Sequence, residues 1–102
     1  MKINLYRQFF KAFSNKTRLE IISLLRSHQK NVSQIVKSLG YEQSRISHNL
    51  RCLEQCGFVI SKSNGKERFY RLDKSHIIPI LNQIDKHIER YSKRLKECEI
   101  IK

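Results

Sequence analysis

Fifteen residues, Glu42-Gln43-Ser44-Arg45-Ile46-Ser47-His48-Asn49-Leu50-Arg51-Cys52-Leu53-Glu54-Gln55-Cys56, constrain this chain more than any other stretch. On a helix of about 100° per residue, Ile46, Leu50 and Leu53 share one face. Ser44, His48, Arg51 and Gln55 point the opposite way. One face demands a core. The other offers hydroxyl, imidazole, guanidinium and amide groups, which match the edges of base pairs and the oxygens of phosphates. The stretch alone leaves open whether it reads a nucleic acid or is an ordinary amphipathic surface helix.

Charge narrows the choice. The 102 residues carry a formal net charge of +12, and such a field favours polyanions. The basic residues are interleaved with a helical pattern and not gathered in a tail, which favours a folded binding surface. The length suits a single domain, expected over 1–102. With 39% hydrophobic residues its core is thin, and a second copy would help to complete it. Neither a signal peptide nor a membrane span is legible. Three cysteines without CxxC pairing argue against a disulfide framework and for a reducing cytoplasm.

The rest of the chain frames the central stretch. Residues 3–13 read as a first helix, with Leu5, Phe9 and Phe13 in register and Phe10 beside them. Ser14 and Asn15 can cap a second helix over 16–27, which buries Leu19, Ile22 and Leu25. After the polar break 27–31, a third helix over 33–39 carries Val32, Ile35, Val36 and Leu39, and Gly40 ends it. Only Tyr41 and Glu42 then precede the central stretch. Two short helices joined by a glycine-containing turn form a helix-turn-helix, whose second helix enters the major groove.

Beyond Gly57 the pattern becomes β-prone. Asn64-Gly65 signals a two-residue hairpin of type I′, which would pair Lys62 with Glu67 and Val59 with Tyr70. Lys62, Lys66 and Arg68 decorate its tip, as in a DNA-contacting wing. A last helix starts between Ser75 and Ile78, with Pro79 tolerated near its first turn. Ile77, Leu81, Ile84, Ile88, Tyr91 and Leu95 follow at alternating spacings of four and three. This narrow stripe seeks another helix: a homodimer partner, or the chain's own first helix. The expected fold is thus mainly α with a small β-hairpin, a winged helix-turn-helix. Its DNA-binding core and wing span 3–72, and its long terminal dimerisation helix spans 75–98.

This order resembles the ArsR/SmtB family of metal-responsive repressors over nearly the whole chain. The carriers are Phe13-Ser14-Asn15-Lys16-Thr17-Arg18-Leu19-Glu20-Ile21-Ile22, where the family usually has proline at Lys16, and Ser44-Arg45-Ile46-Ser47-His48-Asn49-Leu50. Leu53-Glu54-Gln55-Cys56-Gly57-Phe58-Val59 and the hairpin Asn64–Leu72 complete them. The resemblance implies a homodimeric repressor bound to a palindromic operator on double-stranded DNA and released by an inducer, often a metal ion. Gln43, Ser44, Arg45, Ser47 and His48 are then expected to face bases. Arg51, Lys62, Lys66 and Arg68 are expected at phosphates or the minor groove.

The family's sensor sites can be checked against this sequence. Its third-helix thiolate site needs cysteines near Asn31 to Gln34, and there are none. Its terminal-helix site is half matched by Asp85 and His87; Cys98 and Ile101 break the other half. Cys52, Cys56 and Cys98 resemble the cadmium- and lead-sensing branch. Thiolates at i and i+4 can share one soft ion (cadmium, lead or zinc) or arsenite. The same cysteines also read as small buried hydrophobes or as redox-responsive thiols. An i, i+4 pair points its sulfurs poorly for a disulfide. A general, inducer-independent nucleic-acid binder is the alternative function. No phosphate loop, nucleophile elbow or evident catalytic carboxylate pair supports an enzyme.

Overall fold

The computed structural model describes residues 1–101. Its elements run α1 (Ile3–Phe13), α2 (Lys16–Ser27), β1 (Lys30–Asn31), α3 (Val32–Leu39), α4 (Gln43–Gln55), β2 (Val59–Asn64), β3 (Glu67–Leu72) and α5 (Ile77–Glu97). The strands form an antiparallel sheet in the order β1-β3-β2.

Local chemistry sets the ends of the helices. The Asn15 side chain accepts from the Arg18 amide at 3.0 Å and caps α2. Asn31 and Gln34 form a reciprocal capping box at the start of α3, with bonds of 2.8 and 2.9 Å. Such a cap contributes about 1 kcal/mol. Gly40 ends α3 at φ 77°, a conformation open to glycine at little steric cost.

One core serves all the elements. Ile46, Leu50 and Leu53 of α4 are fully buried against Ile21, Ile22 and Leu25 of α2 and Ile35 of α3. Burying each such side chain contributes about 1.5–3 kcal/mol. Phe58, just after α4, is buried between Phe9 and Phe13 of α1, with ring centroids 5.2 and 4.8 Å away.

The structure corrects several expectations. Leu19 is 44% exposed, and Ile21 takes its place with Thr17, Ile22 and Leu25 on the buried face. Ala12 is the buried residue of α1, whereas Leu5 and Phe10 lie exposed. The polar break contains strand β1, whose Lys30 and Asn31 pair with Tyr70 and Phe69. The hairpin register also differs: Lys62 pairs with Phe69 and Val59 with Leu72. The turn is Gly65-Lys66, with φ 67° at Gly65 and no positive φ at any non-glycine residue among those described. A type I′ turn at Asn64-Gly65 would need positive φ at Asn64. A glycine alone at the first central position suits type II′. Finally, Ile77 is fully buried in this chain's own core and Leu81 nearly so. The terminal stripe therefore divides into an internal start and an exposed continuation.

Candidate nucleic-acid interface

α4 is held from three sides. Its apolar face sits in the core, and each flank is tethered by polar bonds. At about 100° per residue, Arg45, Asn49, Cys52 and Cys56 line one flank, while Ser47 and Glu54 lie opposite.

The first flank meets α1 and α2. The Arg45 guanidinium donates from Nε and Nη2 to Thr17 Oγ1 at 3.0 and 2.6 Å. It also lies over the Tyr41 ring, 3.9 Å from the centroid, a cation–π contact. The Tyr41 hydroxyl in turn donates to Glu20 Oε1 at 2.6 Å. That bond to a carboxylate, followed by partial withdrawal from water, raises the Tyr41 pKa. Arg18 donates to the Ala12 and Lys11 carbonyls at 2.9 and 3.2 Å and to Asn49 Oδ1 at 3.2 Å. The buried Asn49 amide donates onward to the Arg45 carbonyl at 2.8 Å. Thr17, Arg18 and Glu20 thus act on the end of α1, the helix-turn-helix turn and α4.

The opposite flank meets the wing. Ser61 Oγ donates to the Glu54 carboxylate. Arg68 Nε donates to Ser61 Oγ at 3.0 Å, and its Nη2 lies 3.6 Å from Glu54 Oε2. Arg68 therefore ties the hairpin to α4.

Between these flanks Gln43, Ser44, Arg45, His48 and Arg51 are exposed, and Ser47 is half-buried. Lys62 and Lys66 stand exposed on the wing. The structure therefore groups the expected base-facing residues on one solvent-facing surface beside the wing. Arg45 is the one among them already engaged within the chain. Asn49, Thr17, Arg18, Glu20 and Tyr41 were not expected to shape this surface. Asn49 offered one signal, a polar residue at the border of the apolar face of α4.

The cysteines are free thiols. Cys52 is half-buried and Cys56 exposed. Partial burial, then the neighbouring Cys52, raises the Cys56 pKa. Cys98 caps the far end of α5. Among the described residues, no three His, Cys, Asp or Glu side chains come together. Asp85 is ion-paired to Arg26 at 2.6 Å, and His87 stacks on Tyr91 with centroids 4.8 Å apart. No helix among the described residues is long and apolar enough to cross a membrane.

A helix-turn-helix followed by a wing tethered to its second helix is a winged helix-turn-helix domain. Residues 15–61 match the family model described as bacterial regulatory protein, arsR family. The uncharacterized HTH-type transcriptional regulator MJ1325 of Methanocaldococcus jannaschii is 33% identical over 76% of this chain and 89% of its own length. The chain belongs to the ArsR family. It is also similar to the HTH-type transcriptional regulator NmtR of Mycobacterium tuberculosis, 32% identical over 76% of this chain and 65% of that protein. The probable mercury resistance operon repressor of Streptomyces lividans is 27% identical over 72% of this chain and 59% of that protein. The match thus spans about three-fifths of those two relatives. In structure, Rv0081 of M. tuberculosis superposes with a TM-score of 0.83 at 26% identity, over 91% of this chain and 95% of that one. The homodimeric winged helix-turn-helix DNA-binding domain Mb0332 of Mycobacterium bovis gives 0.74 at 24%, over 88% and 85%.

Proposed function

We propose that this protein is a sequence-specific transcriptional repressor that binds a palindromic operator as a homodimer in the cytoplasm. The carrying observation is the three-sided immobilisation of α4, which presents an exposed row of hydrogen-bonding side chains from a rigid frame. Gln43, Ser44, Ser47 and His48 meet base edges, and Arg45 reaches the groove from its seat on Thr17 and Tyr41. Arg51, Lys62 and Lys66 take phosphates, and Arg68 sets the wing that carries the two lysines.

The partner is a second copy. An apolar hollow between α1 and α5 is lined by Phe9, Phe10, Pro79, Ile80, Gln83 and Ile84. Leu5 and Phe10 of α1 and Ile84, Ile88 and Leu95 of α5 are exposed. Apolar patches of this kind mark association surfaces. The homodimeric neighbour supports the same assembly.

A soft metal ion is the favoured inducer, on the adjacency of Cys52 and Cys56. One protomer supplies two thiols on the flank of the reading helix, a fitting half-site for a thiophilic ion. Cys98, from the same or the second protomer, would complete it. The relative from a mercury resistance operon supports a soft metal. An ion held there would act on the element that reads DNA.

Selection from a random DNA library tests the function. Enrichment of one palindrome, bound by two protomers, is the expected result. Recovery of unrelated sequences with equal affinity would refute it.

A further inference from the structure

The phosphate contacts proposed so far lie on the wing side of α4, where the hairpin is tied through Glu54. We propose that the other flank carries a second element for the DNA backbone: the α1–α2 corner, with Lys11 and Lys16 as its phosphate-binding cations. The inference rests on the DNA-binding function proposed above.

The first observation is charge. Residues 1–19 contain five cations, Lys2, Arg7, Lys11, Lys16 and Arg18, and no carboxylate. Glu20, the first acid, is occupied by the Tyr41 hydroxyl. Lys11 and Lys16 are exposed, and neither is in an ion pair among the described residues. Arg7 lies on the same stripe of α1 as Lys11, along the edge of a surface groove that ends at Ser14. Unpaired exposed cations clustered in this way form an electrostatic footprint for a polyanion.

The second observation is placement. Arg18 binds the Lys11 and Ala12 carbonyls with one side of its guanidinium group and Asn49 of α4 with another. Thr17, next to Lys16, accepts from Arg45 in the first turn of α4. The corner is therefore fastened to the Arg45–Asn49 flank, opposite Glu54 and the wing. A duplex whose major groove receives α4 presents a phosphate strand along each side of that helix. Lys62 and Lys66 reach one strand from the wing; Lys11 and Lys16 meet the other. Double-stranded DNA is the committed partner, because the corner is fastened to the flank of α4 beside the reading surface.

The test measures operator affinity of the full chain against salt concentration. Three proteins are compared: wild type, Lys11→Gln/Lys16→Gln, and a control with equal charge loss on the terminal helix, Lys86→Gln/Lys93→Gln. Loss of four phosphate contacts per dimer should flatten the slope of log affinity against log salt by about three to four. Affinity at moderate salt should fall by roughly tenfold or more, with the preferred sequence unchanged. The control should keep nearly the wild-type slope. A corner variant with the wild-type slope overturns the proposal. So does an equal flattening in the control, which would mark an effect of net charge. A wild type that prefers no sequence refutes the function itself, an outcome visible before either variant is compared.

Discussion

Arg18 and Asn49 meet at 3.2 Å across 31 positions of sequence, and their bond joins the start of α2 to the middle of α4, while Arg18 also holds the end of α1 through the Lys11 and Ala12 carbonyls. Asn49 is buried and uses its amide on the Arg45 carbonyl, so both ends of its side chain are occupied. Replacing it by leucine would leave a half-buried guanidinium with one partner fewer. Asn49→Leu is expected to lose about 1–3 kcal/mol of stability, the cost of an unsatisfied buried polar group. Urea unfolding should show a lower midpoint with an unchanged slope.

Arg45→Ala is expected to weaken operator binding by about 1–3 kcal/mol and to relax preference at one base pair. Thr17→Val keeps the guanidinium but removes its seat, so it should reproduce part of that loss. Binding to a panel of single-base operator variants checks both. An unaltered preference in Arg45→Ala would remove this residue from the reading set.

The exposed half of the terminal stripe offers a clean test of assembly. Ile88 is 46% exposed in the single chain, whereas Leu81 is only 8% exposed. Leu81→Glu would therefore damage the fold itself, because a charge would enter the core. Ile88→Glu should leave the protomer folded and shift sedimentation from dimer to monomer. A wild type that sediments as a monomer at micromolar concentration would contradict the assembly.

The thiol pair predicts a pH dependence. The Cys56 pKa is raised, so its thiol holds a proton at neutral pH and must release it to bind an ion. Soft-metal affinity should rise with pH until the thiols are ionised and then level off. Without metal the sign for folding is opposite. A folded-state thiol pKa above the unfolded one leaves stability intact below the unfolded value and lowers it as pH rises from there through the raised folded value. Cadmium titration of wild type and Cys52→Ser/Cys56→Ser, read by thiolate absorbance, checks the site. The double variant should keep operator binding and lose metal-driven release.

The Asx turn before α5 gives an acid-side counterpart. Ser75 and His76 donate to Asp73 Oδ1, and these bonds, that from the Ser75 side chain foremost, hold the Asp73 carboxyl below its usual range. Its contribution is present above the unfolded carboxylate pKa and fades as pH falls through the lowered one. Asp73→Ala should weaken the start of α5 and reduce the acid dependence of unfolding.

Sequence by itself determined the helix order, the buried face of α4 and the presence of a basic hairpin. Periodicity and glycine placement are local properties, and Ile46, Leu50 and Leu53 could share only one face. Tertiary structure decided the rest. Leu19 and Ile21 were both plausible core residues of α2, and packing against α3 and α4 chose Ile21. β1 is two residues long and exists only because β3 offers it an edge. The wing register followed the requirement for positive φ at Gly65, which two overlapping turns could have met. The Arg18–Asn49 and Arg45–Thr17 bonds join residues 31 and 28 positions apart. No local periodicity encodes such a pairing; it arises when the core brings the polar flank of α4 against the start of α2.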